Sequence, residues 1–253
     1  MNNTFRNFFP LAALSMSALI APLAQAHVSY SGRDFGTFDG LNAASATISN
    51  QTVSGNFGWA DAADADWGDS HKVRWFKFTL TNAAEVTLTA AANPTATPAA
   101  IGGLIPAFSL YAGVAPSAAH DGTSTTLAYR STLGFATEGA LNTLGNFQIG
   151  SETAIAQLTF IGHALDGVGY LGDGSANGVT SKTFSLAAGT YSLVLGGGDY
   201  LAQLTSNPNF ASAYGLSASL NISAVPEPTS WAFALTGIAA VGAARLRRRQ
   251  SQA

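Results

Sequence analysis

The sequence predicts an all-β fold, an antiparallel β-sandwich followed by a short transmembrane helix. Three observations carry this expectation. Short runs of alternating apolar and polar residues recur through the middle of the chain, and Gly-, Asp- and Asn-rich turns separate them. No amphipathic stretch of ten residues reads as a helix.

The chain opens with a secretory leader over residues 1–26. Arg6 and the amino terminus supply its positive end, Phe8 to Leu23 its apolar centre, and Ala24-Gln25-Ala26 an A-x-A cleavage site. The mature protein then begins at His27, and residues 27–224 form one exported β-domain.

Within that domain, Lys72 to Leu80 alternates so that Phe76, Phe78 and Leu80 share a core face, with Val73, Trp75 and Lys77 opposite. Val86 to Ala90 follows at hairpin spacing. Further strands are expected at Ala107 to Tyr111, Thr126 to Arg130, Ile155 to Ile161, Thr180 to Leu186 and Thr190 to Leu195. The cleanest alternation is Leu216 to Ser223, with Leu216, Ala218, Leu220 and Ile222 inward.

Composition limits the partners. Residues 27–228 carry six basic and fourteen acidic side chains, a net charge of −8. That balance excludes nucleic acid and is compatible with divalent cations or with neutral or cation-bridged extracellular polysaccharide. There is no cysteine. An exported domain without disulfides is held by core burial, with or without bound ions.

The C-terminal stretch 225–253 stands apart. Pro226 and Pro228 end the fold, an apolar run from Thr229 to Ala244 follows, and Arg245, Arg247, Arg248 and Arg249 close it. As a helix the run is roughly 24 Å long, short against a hydrocarbon core of about 30 Å. The arginines would stay cytoplasmic, placing the β-domain across the membrane.

Pro226-Glu227-Pro228, the brief apolar segment and the arginine cluster together resemble the PEP-CTERM sorting signal of Gram-negative bacteria. The resemblance implies that an exosortase cuts near Pro226-Glu227-Pro228, and that the membrane-held precursor becomes a cell-surface or extracellular-matrix protein. A weaker resemblance covers Lys72 to Tyr200 in three islands, VRWFKFTLTNAAEVTLTA, FSLYAG and AAGTYSLVLGGGDY. These are similar to the bacterial pre-peptidase C-terminal-like domain, which implies a jelly-roll-like sandwich.

Two stretches invite a metal. Asp61, Asp64, Asp66 and Asp69 fall within nine residues, which reads either as a solvated acidic loop or as a calcium site, although the spacing is not that of an EF-hand. Asp166, Asp173 and Asn177 lie in glycine-rich turn sequence, where such residues also serve the backbone.

Catalytic patterns are lacking: there is no G-x-S-x-G, no H-E-x-x-H and no thiol. His71, His120 and His163 are isolated in sequence, and Trp59, Trp67 and Trp75 read as core or as sugar-stacking rings. His27, as a mature amino terminus, offers an amine and an imidazole that can chelate copper(II), with His71, His120 or His163 as second ligand. Lytic polysaccharide monooxygenases use such a pair, and His27 is the one residue that matches. The sequence is thus read as a non-enzymatic exported protein sorted by an exosortase. A calcium-assisted polysaccharide-binding module and a copper-dependent polysaccharide oxygenase are the alternatives.

Overall fold

The structure, a computed structural model, describes residues 27–60, 66–133, 141–169, 171–199, 201, 205 and 212–224. The leader and residues 225–253, with Pro226, Glu227, Pro228 and the four terminal arginines, lie outside the described residues.

Twelve strands and one helix appear among the described residues: β1 (Asp34–Phe38), β2 (Ala44–Ser54), β3 (Trp67–Gly68), β4 (Arg74–Leu80), β5 (Ala84–Ala92), β6 (Pro106–Ala112), α1 (Ser124–Thr132), β7 (Leu141–Asn142), β8 (Phe147–Gly150), β9 (Ile155–Leu165), β10 (Val179–Leu186), β11 (Gly189–Gly197) and β12 (Ala213–Ala224). They form an open six-stranded sheet ordered β1-β4-β11-β6-β9-β8, an open four-stranded sheet ordered β10-β5-β12-β2, and the small pair β3-β7.

The main core lies where these two sheets face each other. Phe76, Phe78 and Leu80 of β4, with Phe108, Leu110, Leu193 and Leu195, meet Val86, Leu88, Leu216, Leu220 and Ile222 from the four-stranded sheet. Alternation along β12 follows from this, since its other face carries Ser219 bonded to Thr47 at 3.0 Å. On the same outer face, Thr87 meets Thr183 at 2.7 Å and Thr89 meets Ser181 at 2.9 Å.

The six-stranded sheet is covered on its second face as well. Val73, Trp75, Tyr111 and Val194 pack there against Val28, Ala115, Ala119, Leu141, Phe147 and Ile149. Double coverage explains why Tyr191 to Gly197 of β11 is buried without interruption. Trp59, Trp67 and Trp75 are all buried, so none of the three is free to stack on a sugar.

Several expectations are corrected. The fold is mostly β with open sheets, not a wholly antiparallel, jelly-roll-like sandwich, because β1 pairs with β4 in parallel and a helix interrupts the strands. Among the described residues no helix is long and apolar enough to cross a membrane. The expected strand Thr126 to Arg130 is helix α1. Thr123 caps that helix, its hydroxyl accepting from the Thr126 N–H at 3.2 Å, and this local bond outweighs the β-preference of threonine.

Phe78 is fully buried and stacks on Tyr191 with ring centroids 5.2 Å apart. Phe78→Ala should therefore cost roughly 3 to 5 kcal/mol in chemical unfolding. Lys77, one residue earlier, forms a partly exposed ion pair with Asp34 at 2.9 Å. Lys77→Ala should cost about 0 to 1 kcal/mol. Comparable losses would contradict the register of β4.

Candidate metal centre

Three of the four histidines of the chain, His27, His71 and His120, meet beside the second face of the six-stranded sheet. Each is placed by a buried apolar neighbour in the same cluster: Val28 beside His27, Val73 two residues after His71, and Ala119 before His120.

The first segment is fixed by main-chain pairing. The Val28 N–H donates to Ala119 O at 2.8 Å and the Ala118 N–H to Val28 O at 2.9 Å. His27 Nδ1 lies 3.2 Å from Ala118 O, and its ring meets that of His120 edge-on with centroids 4.4 Å apart.

The second segment turns tightly. The Asp69 N–H donates to Gly58 O at 2.9 Å. This approach requires Gly68, where a Cβ would stand 2.7 Å from Trp59 O and 2.8 Å from Gly58 O. Asp69 Oδ1 accepts from the His71 N–H at 2.8 Å, an Asx turn that aims the carboxylate and the imidazole at one point.

The third segment leads into α1. The His120 N–H donates to Gly150 O at 3.2 Å, and the Thr123 hydroxyl donates to the same carbonyl at 2.8 Å. Arg130 Nη1 reaches back to Asp121 O at 3.4 Å. His120 Nδ1 accepts from the Gly122 N–H at 3.0 Å, so in the neutral ring the proton sits on Nε2.

These segments converge on Asp69, His71 and Asp121, whose ligand atoms all lie within 4.8 Å of one another. His71 Nδ1 is 3.4 Å from Asp69 Oδ1 and 4.0 Å from Asp121 Oδ2. The His120 ring stands 5.6 Å from that of His71. The group is half-buried, which limits competition from solvent yet leaves a path for an ion.

Electrostatics prepare the group. Asp69 raises the proton affinity of His71 by accepting from it, partly opposed by burial, while the charges of Asp121 and Asp69 help and Lys72 opposes. Burial works against ionisation of Asp69, but bonds from His71 and the nearby Lys72 outweigh it and hold its carboxyl below the usual range. His120 moves the other way. Burial, then the charges of His27 and His71, push its pKa down, so it stays neutral and able to ligate in milder acid.

The calcium reading of Asp61, Asp64, Asp66 and Asp69 is corrected. Asp61 and Asp64 lie outside the described residues, and Asp69 joins His71 and Asp121 rather than Asp66, whose carbonyl accepts from Thr143 N–H at 2.8 Å. An imidazole at the centre suits copper or zinc better than calcium, which takes oxygen ligands.

The other candidates are accounted for elsewhere. Asp166 is buried and spends both oxygens on the Asn177 and Gly178 N–H groups, at 2.9 and 2.8 Å, while Asp173 accepts from Ser175 N–H at 3.1 Å. These carboxylates shape turns. His163 packs against Trp59, centroids 5.8 Å apart, in a separate cleft with Asp173 and Lys182. Asp121 has no spacing signal in the sequence. Its one mark there is adjacency to His120, and its partners come from a loop about fifty residues earlier.

No protein family matches the chain, and no curated protein matches it. Solved structures that are similar include two copper-binding proteins. One is CorA, a surface-associated copper-binding protein important in copper acquisition by Methylomicrobium album BG8, with TM-score 0.48 and 19% identity over 78% of this chain and 99% of the other. The second is the secreted protein MopE of Methylococcus capsulatus, in which an oxidised tryptophan facilitates copper binding. It shows TM-score 0.42 and 15% identity over 76% of this chain and 87% of the other.

The reading of the chain as an exosortase-sorted PEP-CTERM protein of structural role is corrected. No family model matches the chain, and the described residues gather a histidine–aspartate group that such a role does not call for.

The raised pKa of His71 gives a signed expectation for the metal-free protein. The stability it contributes is complete below the unfolded value of about 6.5 and is lost as pH rises through the raised folded value. The thermal midpoint of the native chain should exceed that of His71→Gln by roughly 1 to 3 °C more at pH 5.5 than at pH 8.5. An advantage that does not change with pH would remove the pairing with Asp69 and Asp121.

Proposed function

We propose that this is an exported, non-enzymatic protein that binds copper at Asp69, His71 and Asp121. The observation that carries the reading is the convergence of these three side chains from two loops, with His120 beside His71 and His27 beside His120. Imidazole nitrogen with carboxylate oxygen is a donor set for copper(II), zinc or nickel, and among divalent first-row ions copper(II) binds such a set most tightly. Copper is also the metal named for the two similar structures.

The protein supports the ion in definite ways. Asp69 is oriented by the His71 N–H, and Asp121 is set by the turn that Thr123 and Arg130 pin. Supporting bonds of this kind hold ligands in place before the ion arrives. Two carboxylates offset the charge of a divalent cation, in a domain whose excess of acid favours its approach.

Copper(II) should raise the thermal midpoint of the metal-free chain, zinc should raise it less, and calcium should leave it unchanged. His71→Ala and Asp121→Asn should each weaken copper binding by at least about tenfold, or 1.4 kcal/mol, in a competition titration. Affinity should fall as pH drops through the raised pKa of His71, because the proton and the ion compete for the ring. A calcium shift equal to that of copper, or full copper affinity in both variants, would refute this centre.

A further inference from the structure

We infer that leader removal completes the metal centre, by turning His27 into an amino-terminal ligand that acts together with His120. This rests on the copper reading above and adds to it how the site is regulated.

Two independent observations meet at His27. In the sequence it stands directly after Ala24-Gln25-Ala26, so cleavage there would free its α-amine. In the fold, pairing of Val28 with Ala118 and Ala119 delivers the same residue to the histidine cluster, its ring 4.4 Å from that of His120. A terminal residue with no role could fray, because chain ends are poorly ordered unless tied down. This one is tied by the two main-chain bonds of Val28 and by burial of the Val28 side chain.

The chemistry favours the free terminus over the precursor. An α-amine has a pKa near 8 and can give a lone pair to copper(II) near neutral pH, whereas a peptide nitrogen in the uncut chain is a far poorer donor. Amine and imidazole of one histidine can close a chelate ring through Nδ1. Here Nδ1 faces Ala118 O at 3.2 Å, and rotation of the partly exposed ring about Cβ–Cγ would release it from that carbonyl to act as a ligand. His120 would exchange its contact with the Gly122 N–H for the metal. The uncut chain therefore travels with an incomplete site, and the full affinity appears after export.

The test compares two purified full-length mature chains, one beginning at His27 and one carrying a single Gly before it. Copper(II) affinity and the nitrogen couplings in the electron-spin spectrum are measured for each. The chain with the free His27 amine should bind at least tenfold more tightly and show one more coupled nitrogen, and His120→Ala should abolish that gain. Equal affinity and identical spectra in the two chains would overturn the inference and leave the Asp69–His71–Asp121 centre standing. A gain that survives His120→Ala would also overturn it, as binding by the terminus alone. Absence of copper binding in both chains would overturn the centre and the inference together.

Discussion

The candidate centre depends on one packing constraint, burial of the second face of the six-stranded sheet. Val73, Trp75, Tyr111 and Val194 present an apolar surface there, and an irregular layer of Val28, Ala115, Ala119, Leu141, Phe147 and Ile149 covers it. Apolar burial has no direction of its own, yet here it fixes position. Val28, Val73 and Ala119 are each nearly inaccessible to solvent, and each drags a histidine to the rim of the cluster. Loops carry the ligands while the sheet supplies the rigidity, a common division of labour at binding sites.

At the rim, polar groups are arranged against a gradient of burial. His71 and Asp69 stabilise each other's charged forms, whereas His120 is held neutral by burial and by the neighbouring rings. In the proposed centre a metal ion would take the place of the proton on His71 and serve as counter-charge to Asp69 and Asp121.

Much of the β-framework was legible in the sequence. Phe76, Phe78 and Leu80 alternate because one face of β4 meets the opposite sheet, and β12 alternates because its other face is solvated. Where both faces are buried the period weakens, and β1 and β2 went unread: their exposed Thr, Ser, Gly and Asn positions resemble loop sequence. Helix α1 was misread because Thr126 and Tyr129 favour strands, while its cap depends on a single hydroxyl. The centre was legible only in pieces. Asp69, His71, His120 and His27 were each candidates, but their grouping depends on long-range packing, and Asp121 was visible only as a neighbour of His120.

The lack of cysteine gives this grouping a structural consequence. A domain without disulfides must restrain its long loops by other means. A metal held by Asp69, His71 and Asp121 closes a loop of about fifty residues, and joining His27 closes another of about forty. Because the unfolded chain does not assemble these ligands, the ion would act on the folded state alone, and its binding free energy would add to folding by mass action. The bond is reversible and depends on pH, because His71 must lose its proton before the ion can take its place. One cluster can therefore serve both as the ligand site and as the clasp that holds the amino-terminal segment to the sheet.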